Sequence, residues 1–381
     1  MADLSYYETN KLERENIGEL VDTLVRKAQD ARIGFERRWY DANFFDDGHH
    51  FRYLSRTENK IVDLSERQTI YAPLRAIPKA SRQIRGVANL LLSQDPTPVV
   101  YPEEVSKAQY PHVVDPTTGQ PTVNSEYEAA RQEAKRIALG TGHWLKEELK
   151  EQDMFEKLAL MVILAAKQGV SYLQIWPDAE KEKIRTQVFD AFDIYLDGTL
   201  TSIYDSPYLV KGTTEYIAKI KANPLFDKNQ LEKISPDNRY ASSDIKNAYM
   251  SAKYYQMGQI EQQAKITLKE ALLKEHLNAD NMARIRKQKD GEQILQDKKE
   301  GDTVIRQVFV GGNVWLKDGY LNLSDYPYVD FRFEPGTIYQ VPLIERFMPA
   351  NKSLDLAVSR IERFFHTMNV GVWLKRQGEQ F

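Results

Sequence analysis

Residues 326–376 read YPYVDFRFEPGTIYQVPLIERFMPANKSLDLAVSRIERFFHTMNVGVWLKR. An aromatic stretch between prolines predicts a strand, and after a short linker the apolar residues recur at three- and four-residue steps, which predicts a helix over 350–366. We expect Asn351 or Ser353 in the N-cap region of this helix, and another strand over 369–375. The helix carries the apolar residues Leu354, Leu356, Ala357, Ile361, Phe364 and Phe365. Nothing in the stretch is typical of a catalytic motif.

The composition of the whole chain is that of a protein with a sizeable core. It has 381 residues, of which 42% are hydrophobic and 28% charged. The net charge of -3 argues against a surface that coats nucleic acid through bulk positive charge. The chain has no cysteine, which excludes disulfides, thiolate metal sites and a cysteine nucleophile. No apolar run approaches the ~20 residues that cross a bilayer, and the N-terminus lacks the pattern of a signal peptide, so no membrane is expected.

The N-terminal part of the chain predicts helices separated by polar or proline-rich segments. Apolar periodicity indicates helices over 13–40 and 79–93. The prolines after the second helix end it, and residues 99–101 predict a short strand. Residues 102–124 contain four prolines and the turn sequence DPTTGQP, so we expect an exposed loop there.

The next part predicts a long helical region and a hairpin. Residues 125–167 have helical periodicity, with an expected break near Gly140 and Gly142. Residues 171–189 alternate around a short turn and predict a β-hairpin. Residues 213–256 predict helical pieces interrupted by prolines.

A polar segment and an alternating segment complete the chain before the 326–376 stretch. Residues 259–300 are highly polar with a narrow apolar stripe, which predicts a helix that needs a packing partner. Residues 303–333 alternate with period two and predict a β-meander. Within it, the pair Asp318 and Gly319 is a strong hairpin-turn signal.

The common catalytic and ligand-binding motifs are absent from the sequence. There is no GxxxxGK[ST] phosphate loop, no GxGxxG after a predicted strand and no HExxH. Asp46 and Asp47 precede His49 and His50, but adjacent side chains point to opposite faces in extended chain, so this cluster predicts a structural turn. We therefore expect no catalytic residue, no metal and no cofactor, and hence a protein that is not an enzyme.

Basic residues near the final helix are candidates for contacts with a nucleic-acid backbone. Arg346, Lys352, Arg360 and Arg363 have few acidic neighbours in sequence, and such contacts are independent of base sequence. The basic cluster at 284–289 is interleaved with acidic residues and predicts a solvated helix face.

Several passages resemble portal proteins of tailed bacteriophages, in the order of that family. They are ERRWYDANFFDDG (36–48), QTIYAPLRAIPKASRQIRGVANLLLSQDPTPVVYP (68–102), LALMVILAAKQG (158–169) before the hairpin, and PLIERFMPANKSLDLAVSRIERFF (342–365). The last resembles the stem helix that follows the clip. Portals show an asparagine and a serine in this helix, and the resemblance places them at Asn351 and Ser359.

The resemblance implies an elongated α+β subunit, mostly helical, with a wing, stem helices and a small β-rich clip. Its expected parts are a wing-like helical region with the hairpin (1–258), a polar helical stem segment or insertion (259–300), a clip-like β-meander (301–345), a second stem helix (346–368) and a return strand (369–381), with no crown among these residues.

Portal proteins form a ring, usually of twelve subunits, through which the genome enters and leaves the capsid. The implied partners are other copies of the chain, the major capsid protein, the terminase large subunit, the head-tail adaptor proteins and double-stranded DNA without sequence specificity. The implied location is the portal vertex of the virion, after assembly in the bacterial cytoplasm. The four basic residues would face DNA in the channel, and the clip would bind partners through Trp315, Tyr320, Tyr326 and Tyr328.

Two alternatives remain open from the sequence. Another phage neck or tail ring would share the cysteine-free, interaction-rich profile without needing the wing, clip and stem order. A soluble helical nucleic-acid-processing enzyme would require converging polar residues that the sequence does not reveal.

Overall fold

A computed structural model of the chain describes most of the residues between 17 and 369. The described residues are 17–54, 61–64, 74–93, 99–102, 104, 113–114, 121–122, 125–178, 183–235, 265–288, 291–296 and 298–369. They divide into two compact units, treated separately below: the larger comprises 1–86, 161–174 and 188–381, and the smaller comprises 87–160 and 175–187.

The described residues form a mixed α+β structure, which confirms the coarse fold class. The helices are α1 (Ile17–Asp46), α2 (Lys79–Leu92), α3 (Ser125–Glu151), α4 (Met154–Gln168), α5 (Ile217–Lys221), α6 (Lys228–Leu231), α7 (Ala279–Ile285), α8 (Gly291–Leu295) and α9 (Leu343–Asn369). The strands are β1 (Arg52–Leu54), β2 (Ile61–Asp63), β3 (Val113–Val114), β4 (Pro121–Thr122), β5 (Ser171–Asp178), β6 (Lys183–Asp190), β7 (Ile194–Leu196), β8 (Tyr208–Tyr216), β9 (Lys265–His276), β10 (Thr303–Gly311), β11 (Val314–Leu321) and β12 (Tyr328–Phe331).

A five-stranded antiparallel sheet with the order β11-β10-β9-β8-β7 is the centre of the larger unit. Its middle strand β9 is buried on both faces, since Ala271 and Leu273 lie in one core cluster and Leu272 in another. The first cluster is formed with the N-terminal half of α1, through Ile17, Val21, Leu24, Val25 and Ala28. The amphipathic pattern that predicts α1 therefore also determines how it covers the sheet.

A second core cluster joins the C-terminal half of α1 to the other face of the sheet. It contains Trp39, Tyr40 and Phe44, which pack with residues of β5, β6, β8 and β12 and with Tyr339. β12, β5 and β6 lie side by side in a separate three-stranded sheet. The aromatic run ERRWYDANFF thus supplies core packing within the chain.

Buried Arg32 ties α1 to the turn that leads into β7. Its guanidinium donates to the backbone carbonyls of Ala191 (3.0 Å), Phe192 (2.9 Å) and Ile194 (2.7 Å), and its Nε donates to Glu36 (2.5 Å). Both charged side chains are at most 2% exposed. Burial opposes the charge of Arg32, but Tyr195, whose ring lies 4.0 Å below the guanidinium, and Glu36 raise its pKa above the ordinary value. The cation is therefore fully paired although it is removed from water.

The main error of sequence interpretation concerns the polar segment 259–300. Residues Lys265–His276 form the central strand β9 and not a stem helix, and among the described residues up to 300 the short helices α7 and α8 follow it. Two charged side chains of this strand are paired: Glu270 with Lys211 (2.6 Å) and Lys269 with Asp22. Burial on both faces removes the period-two signal of a strand, so the segment looked helical.

The predicted clip-like meander over 301–345 is not a separate body. Asp318 and Gly319 lie inside the continuous strand β11, where Asp318 receives two hydrogen bonds of 2.8 Å from Arg306 of β10. β10 and β11 belong to the central sheet, whereas β12 pairs with β5 in the other sheet. Asp318 therefore forms an ion pair across the two strands, and the Asp-Gly pair does not form a turn.

Other boundaries also differ from the predictions. Residues 213–216 extend strand β8 and are not helical. In the smaller unit, the break in the long helix falls at Gln152 and Asp153 and not at the glycines; Asp153 has a left-handed backbone (φ 49°), and Gln152 donates to the carbonyl of Ile184. Residues 99–101 form no strand.

Other predictions hold, and some fall outside the described residues. α1 and α2 occupy the two predicted N-terminal helices, and β5 and β6 are neighbours as the hairpin prediction requires. The return strand over 369–375 lies outside the described residues except for Asn369, which is the last residue of α9. The predicted helical pieces between 236 and 258 are also outside them.

Replacing Arg32 with methionine should destabilise the larger unit. Arg32→Met leaves the Glu36 carboxylate buried without its cation and three carbonyls without their donor, so we expect a loss of about 3–5 kcal/mol in the free energy of unfolding. Urea denaturation measures this loss. Arg26→Met is the control, because Arg26 is exposed on the same helix and should change the stability by no more than about 0.5 kcal/mol. Equal effects of the two variants would contradict the role given to Arg32.

Two glycine-to-alanine substitutions should act in opposite directions. Gly169 ends α4 with φ 79°, and a Cβ there would lie 2.2 Å from the carbonyl oxygen of Gln340; Gly169→Ala should cost about 2 kcal/mol or more. Gly34 lies inside α1, and no described atom comes within 4 Å of the place that an added methyl group would occupy, so Gly34→Ala should stabilise by about 0.5–1 kcal/mol. Thermal unfolding of the two variants checks both signs, and a stabilised Gly169→Ala variant would refute the close approach.

Candidate functional site

Helix α9 contains most of the residues that the sequence marks as functional. Its first residues are anchored by apolar packing: Ile344 and Met348 are buried in a cluster with Phe45, Ala80 and Ile84. Pro349 lies inside the helix. After this proline the helix is held by hydrogen bonds and no longer by apolar packing.

The inward face of α9 beyond Pro349 is polar. Asn351, Asp355 and Ser359 follow one another at four-residue steps, which places them on one side of the helix, and each is at most 6% exposed. Asn351 and Ser353 are therefore in the helix interior, and the prediction that one of them is the N-cap is wrong. Ser353 is exposed and donates to the carbonyl of Pro349.

These three side chains bind the backbone of the segment 75–80. The backbone N–H groups of Arg75, Ile77 and Ala80 donate to Ser359 (2.9 Å), Asp355 (2.8 Å) and Asn351 (3.1 Å), and Asn351 also donates to the carbonyl of Ile77 (2.9 Å). Ala80 is in the first turn of α2, whose N–H groups have no partner within the helix. Asn351 thus caps α2 from another helix. We call these three residues, the segment 75–80 and His50 the polar seam.

His50 occupies the middle of the polar seam. Its Nδ1 lies 2.5 Å from Asp355 and 3.3 Å from the amide of Asn351, and its ring stacks on Phe45 at 3.9 Å between centroids. Both His50 and Asp355 have fully buried side chains. The Nε2 atom of His50 is buried with no hydrogen-bond partner in the part of the chain described here. The burial of His50 therefore agrees with the prediction that the residues 46–50 have a structural role.

An exposed ion pair closes the far end of the polar seam. Arg75 donates two hydrogen bonds of 2.5 Å to Glu362, one turn beyond Ser359. The hydrogen bonds from Arg75 hold the pKa of the Glu362 carboxyl below its usual value. This pair is exposed to water, so we assign it little stability.

The opposite side of α9 is apolar and exposed. Leu354, Ile361, Phe364, Phe365 and Met368 are between 38% and 63% exposed. With Ala357, four of them (Leu354, Ile361, Phe364 and Met368) follow alternating steps of three and four residues, the spacing of a helix that packs on another helix. We call the five exposed residues together with Ala357 the outer stripe. The polarity of α9 is inverted here, because the polar face is inside and the apolar face is outside.

The four predicted DNA contacts lie on α9, with different surroundings. Arg346 is paired with Glu334, and Lys352 lies 5.9 Å from the centroid of the Phe45 ring. Arg360 and Arg363 are exposed beside the outer stripe, without an ion pair to any described residue. Of the four predicted contact residues, Arg360 and Arg363 are therefore the exposed ones whose charge is paired with neither an acidic side chain nor a ring within the described chain.

Three of the four predicted partner-binding residues are in the core. Tyr320, Tyr326 and Tyr328 are at most 8% exposed; Tyr320 donates to Glu275 (3.0 Å) and Tyr326 to the carbonyl of Ser206 (2.9 Å). They cannot reach a partner while the sheet is folded, so this prediction is wrong for them. Trp315 is partly buried.

No catalytic constellation emerges in the described ranges. They contain no group of three or more His, Asp or Glu side chains that could hold a metal ion. An open groove of about 520 Å³ is lined by Phe35, Arg38 and Arg346 among others, but both arginines are paired, Arg38 with Glu345 and Arg346 with Glu334. Among the described helices, none has the length and apolar character to span a bilayer.

Comparisons with known proteins add no relative. No protein-family model matches the chain, and a comparison with curated proteins found no match. The site must therefore be judged on its own geometry.

Removing the Asp355 carboxylate should disrupt the polar seam. Asp355→Ala leaves the N–H of Ile77 and the ring of His50 buried without their acceptor, so the free energy of unfolding should fall by about 2–3 kcal/mol. Ser353→Ala is the matched control on the exposed side of the same helix and should change it by less than about 0.5 kcal/mol. Chemical denaturation of both variants makes the comparison. A loss no larger than that of the control would show that the seam contributes nothing to stability.

Proposed function

We propose that this chain is the subunit of a phage portal, a homo-oligomeric ring that forms the DNA channel at one capsid vertex, and that neighbouring subunits pack along α9. The observation that carries the proposal is the inverted polarity of α9. In the single chain, the outer stripe leaves five large apolar side chains in water while polar groups are buried beneath them.

The energetics of the outer stripe favour association. Burying the exposed half of each large apolar side chain is worth roughly 1 kcal/mol, so the stripe offers several kcal/mol to a partner. The spacing of Leu354, Ala357, Ile361, Phe364 and Met368 fits a helix from a second copy. Charge does not oppose this pairing, because Arg360 is the one charged residue at the positions that flank the stripe. We place the stripe against a different face of the neighbouring copy, because only such a head-to-tail contact, repeated by rotation, closes a ring, whereas the same face on both copies would close a dimer.

The resemblance of the sequence to portal proteins supplies the rest of the proposal. Because Lys265–His276 before the clip-like region is a strand, the stem helix of the proposed portal is α9. Arg360 and Arg363, on the same helix, are exposed cations suited to contacts with the DNA backbone that do not depend on base sequence. Docking of the terminase, the head-tail adaptors and the capsid protein is part of the proposal by resemblance alone.

Imaging frozen, unstained particles of the purified chain at high concentration tests the proposal, because end-on views allow the subunits to be counted. We expect a closed ring, twelve-fold by resemblance, with a centre wide enough for a DNA duplex (~20 Å). Phe364→Glu should leave the subunit folded but monomeric, since it places a charge in the outer stripe and removes only a ring contact with the neighbouring Phe365 on the same helix.

Thr367→Glu is the control for this experiment. Thr367 is exposed one turn from Arg363, away from the centre of the outer stripe, and its hydroxyl bonds only within the helix. Its assembly should match that of the unaltered chain. A monomer in all three samples would overturn the proposal, and a closed ring that cannot admit DNA would favour another neck or tail component.

A further inference from the structure

We propose that residues 350–369 of α9 are a hinged arm, which detaches from the segment 75–80 as a unit while the beginning of α9 stays in place. The polar seam is the latch of this arm. The inference concerns the single subunit and does not require that the chain forms a ring.

The two parts of α9 are held by different physical means. Before Pro349, Ile344 and Met348 are buried among apolar side chains, and lifting them out would expose that surface to water. After Pro349, the buried residues of the helix are Asn351, Asp355 and Ser359, all of which bind through hydrogen bonds. Opening a seam of this kind costs less than lifting out the apolar part, since each polar group exchanges a protein partner for a water molecule.

Pro349 lies at the boundary between the two parts. A proline inside a helix lacks the N–H that would bond the carbonyl four residues earlier, and its ring crowds that carbonyl. Bends in helices concentrate at such positions. The break in the hydrogen-bond ladder therefore coincides with the change from apolar to polar anchoring.

His50 belongs to the latch through the contact of its Nδ1 with Asp355. Its Nε2 is buried with no partner in the described part of the chain. Opening of the arm replaces the contact between Nδ1 and Asp355 by water. The charged groups at the seam are Asp355, the exposed pair of Arg75 and Glu362, and Lys352 above Phe45, and each is solvated or close to solvent once the arm leaves.

Three backbone amides report directly on the latch. The N–H groups of Arg75, Ile77 and Ala80 are bonded to α9 side chains and not to their own secondary structure. Hydrogen exchange of the unaltered chain, followed residue by residue, should show that these amides exchange about a hundredfold or more faster than the amides of Val308 and Ala271 in the central sheet. Equal protection of the two sets would mean that the arm opens only when the whole unit unfolds, and would overturn the proposal.

A reversible lock provides the second test, because the chain has no cysteine of its own. The hydroxyl of Ser359 lies 2.9 Å from the backbone nitrogen of Arg75, so the double substitution Arg75→Cys and Ser359→Cys puts one thiol on each side of the seam at neighbouring residues, and formation of the disulfide is first checked by loss of free thiol. Oxidation should slow exchange at Ile77 and Ala80 by about tenfold or more, and reduction should restore it. The Ser359→Cys single variant is the control and should not respond to oxidation. A disulfide that forms without changing these rates would also refute the arm.

Discussion

The buried contact of Arg32 is the constraint on which the larger unit depends. One guanidinium joins helix α1 to three carbonyls of the turn before β7 and its first residue, and no apolar residue can replace those bonds. The Gln168 side chain also holds this turn, because it accepts a hydrogen bond from the N–H of Ala191 (2.8 Å). Helix, turn and sheet edge are therefore fixed by a single cation, and the aromatic core beside it packs around an already determined position.

Helix α9 shows how the same unit separates stability from interaction. Its N-terminal residues are held by the ordinary means of a core, whereas its remainder is held by polar contacts to a neighbouring backbone. Such contacts fix the position of the helix without burying its apolar surface. The outer stripe consequently remains exposed, with Arg360 and Arg363 on the same helix. In the proposed ring, assembly and internal anchoring would use different faces of one element.

Sequence interpretation succeeded where local pattern and burial agree. The periodicity of α1 and α2 predicts both helices, and the mixed α+β class that the resemblance implies is confirmed in its coarse form. It failed at β9, because burial on both faces and cross-strand ion pairs hide the alternation of a strand. It also failed at Asp318 and Gly319, where a long-range pair with Arg306 outweighs turn propensity. In α9 the signal was used only in part, because the resemblance singles out Asn351 and Ser359 but not Asp355, which lies between them on the same face. Their partners His50 and Ile77 are hundreds of residues away in sequence and could not be predicted.

Both edges of the central sheet are capped by groups from outside it. At β11, the carbonyl of Leu316 accepts from the N–H of Asp227 (3.0 Å), and the N–H of Tyr320 donates to Gln288 (3.2 Å). At β7, the hydroxyl of Tyr339 bonds both the N–H (3.3 Å) and the carbonyl (3.2 Å) of Leu196. Neither edge offers a free row of backbone groups, so the sheet resists growth by the strand-to-strand stacking that leads to fibres. The folded chain is thereby protected from the commonest disordered form of aggregation even where many copies are crowded together.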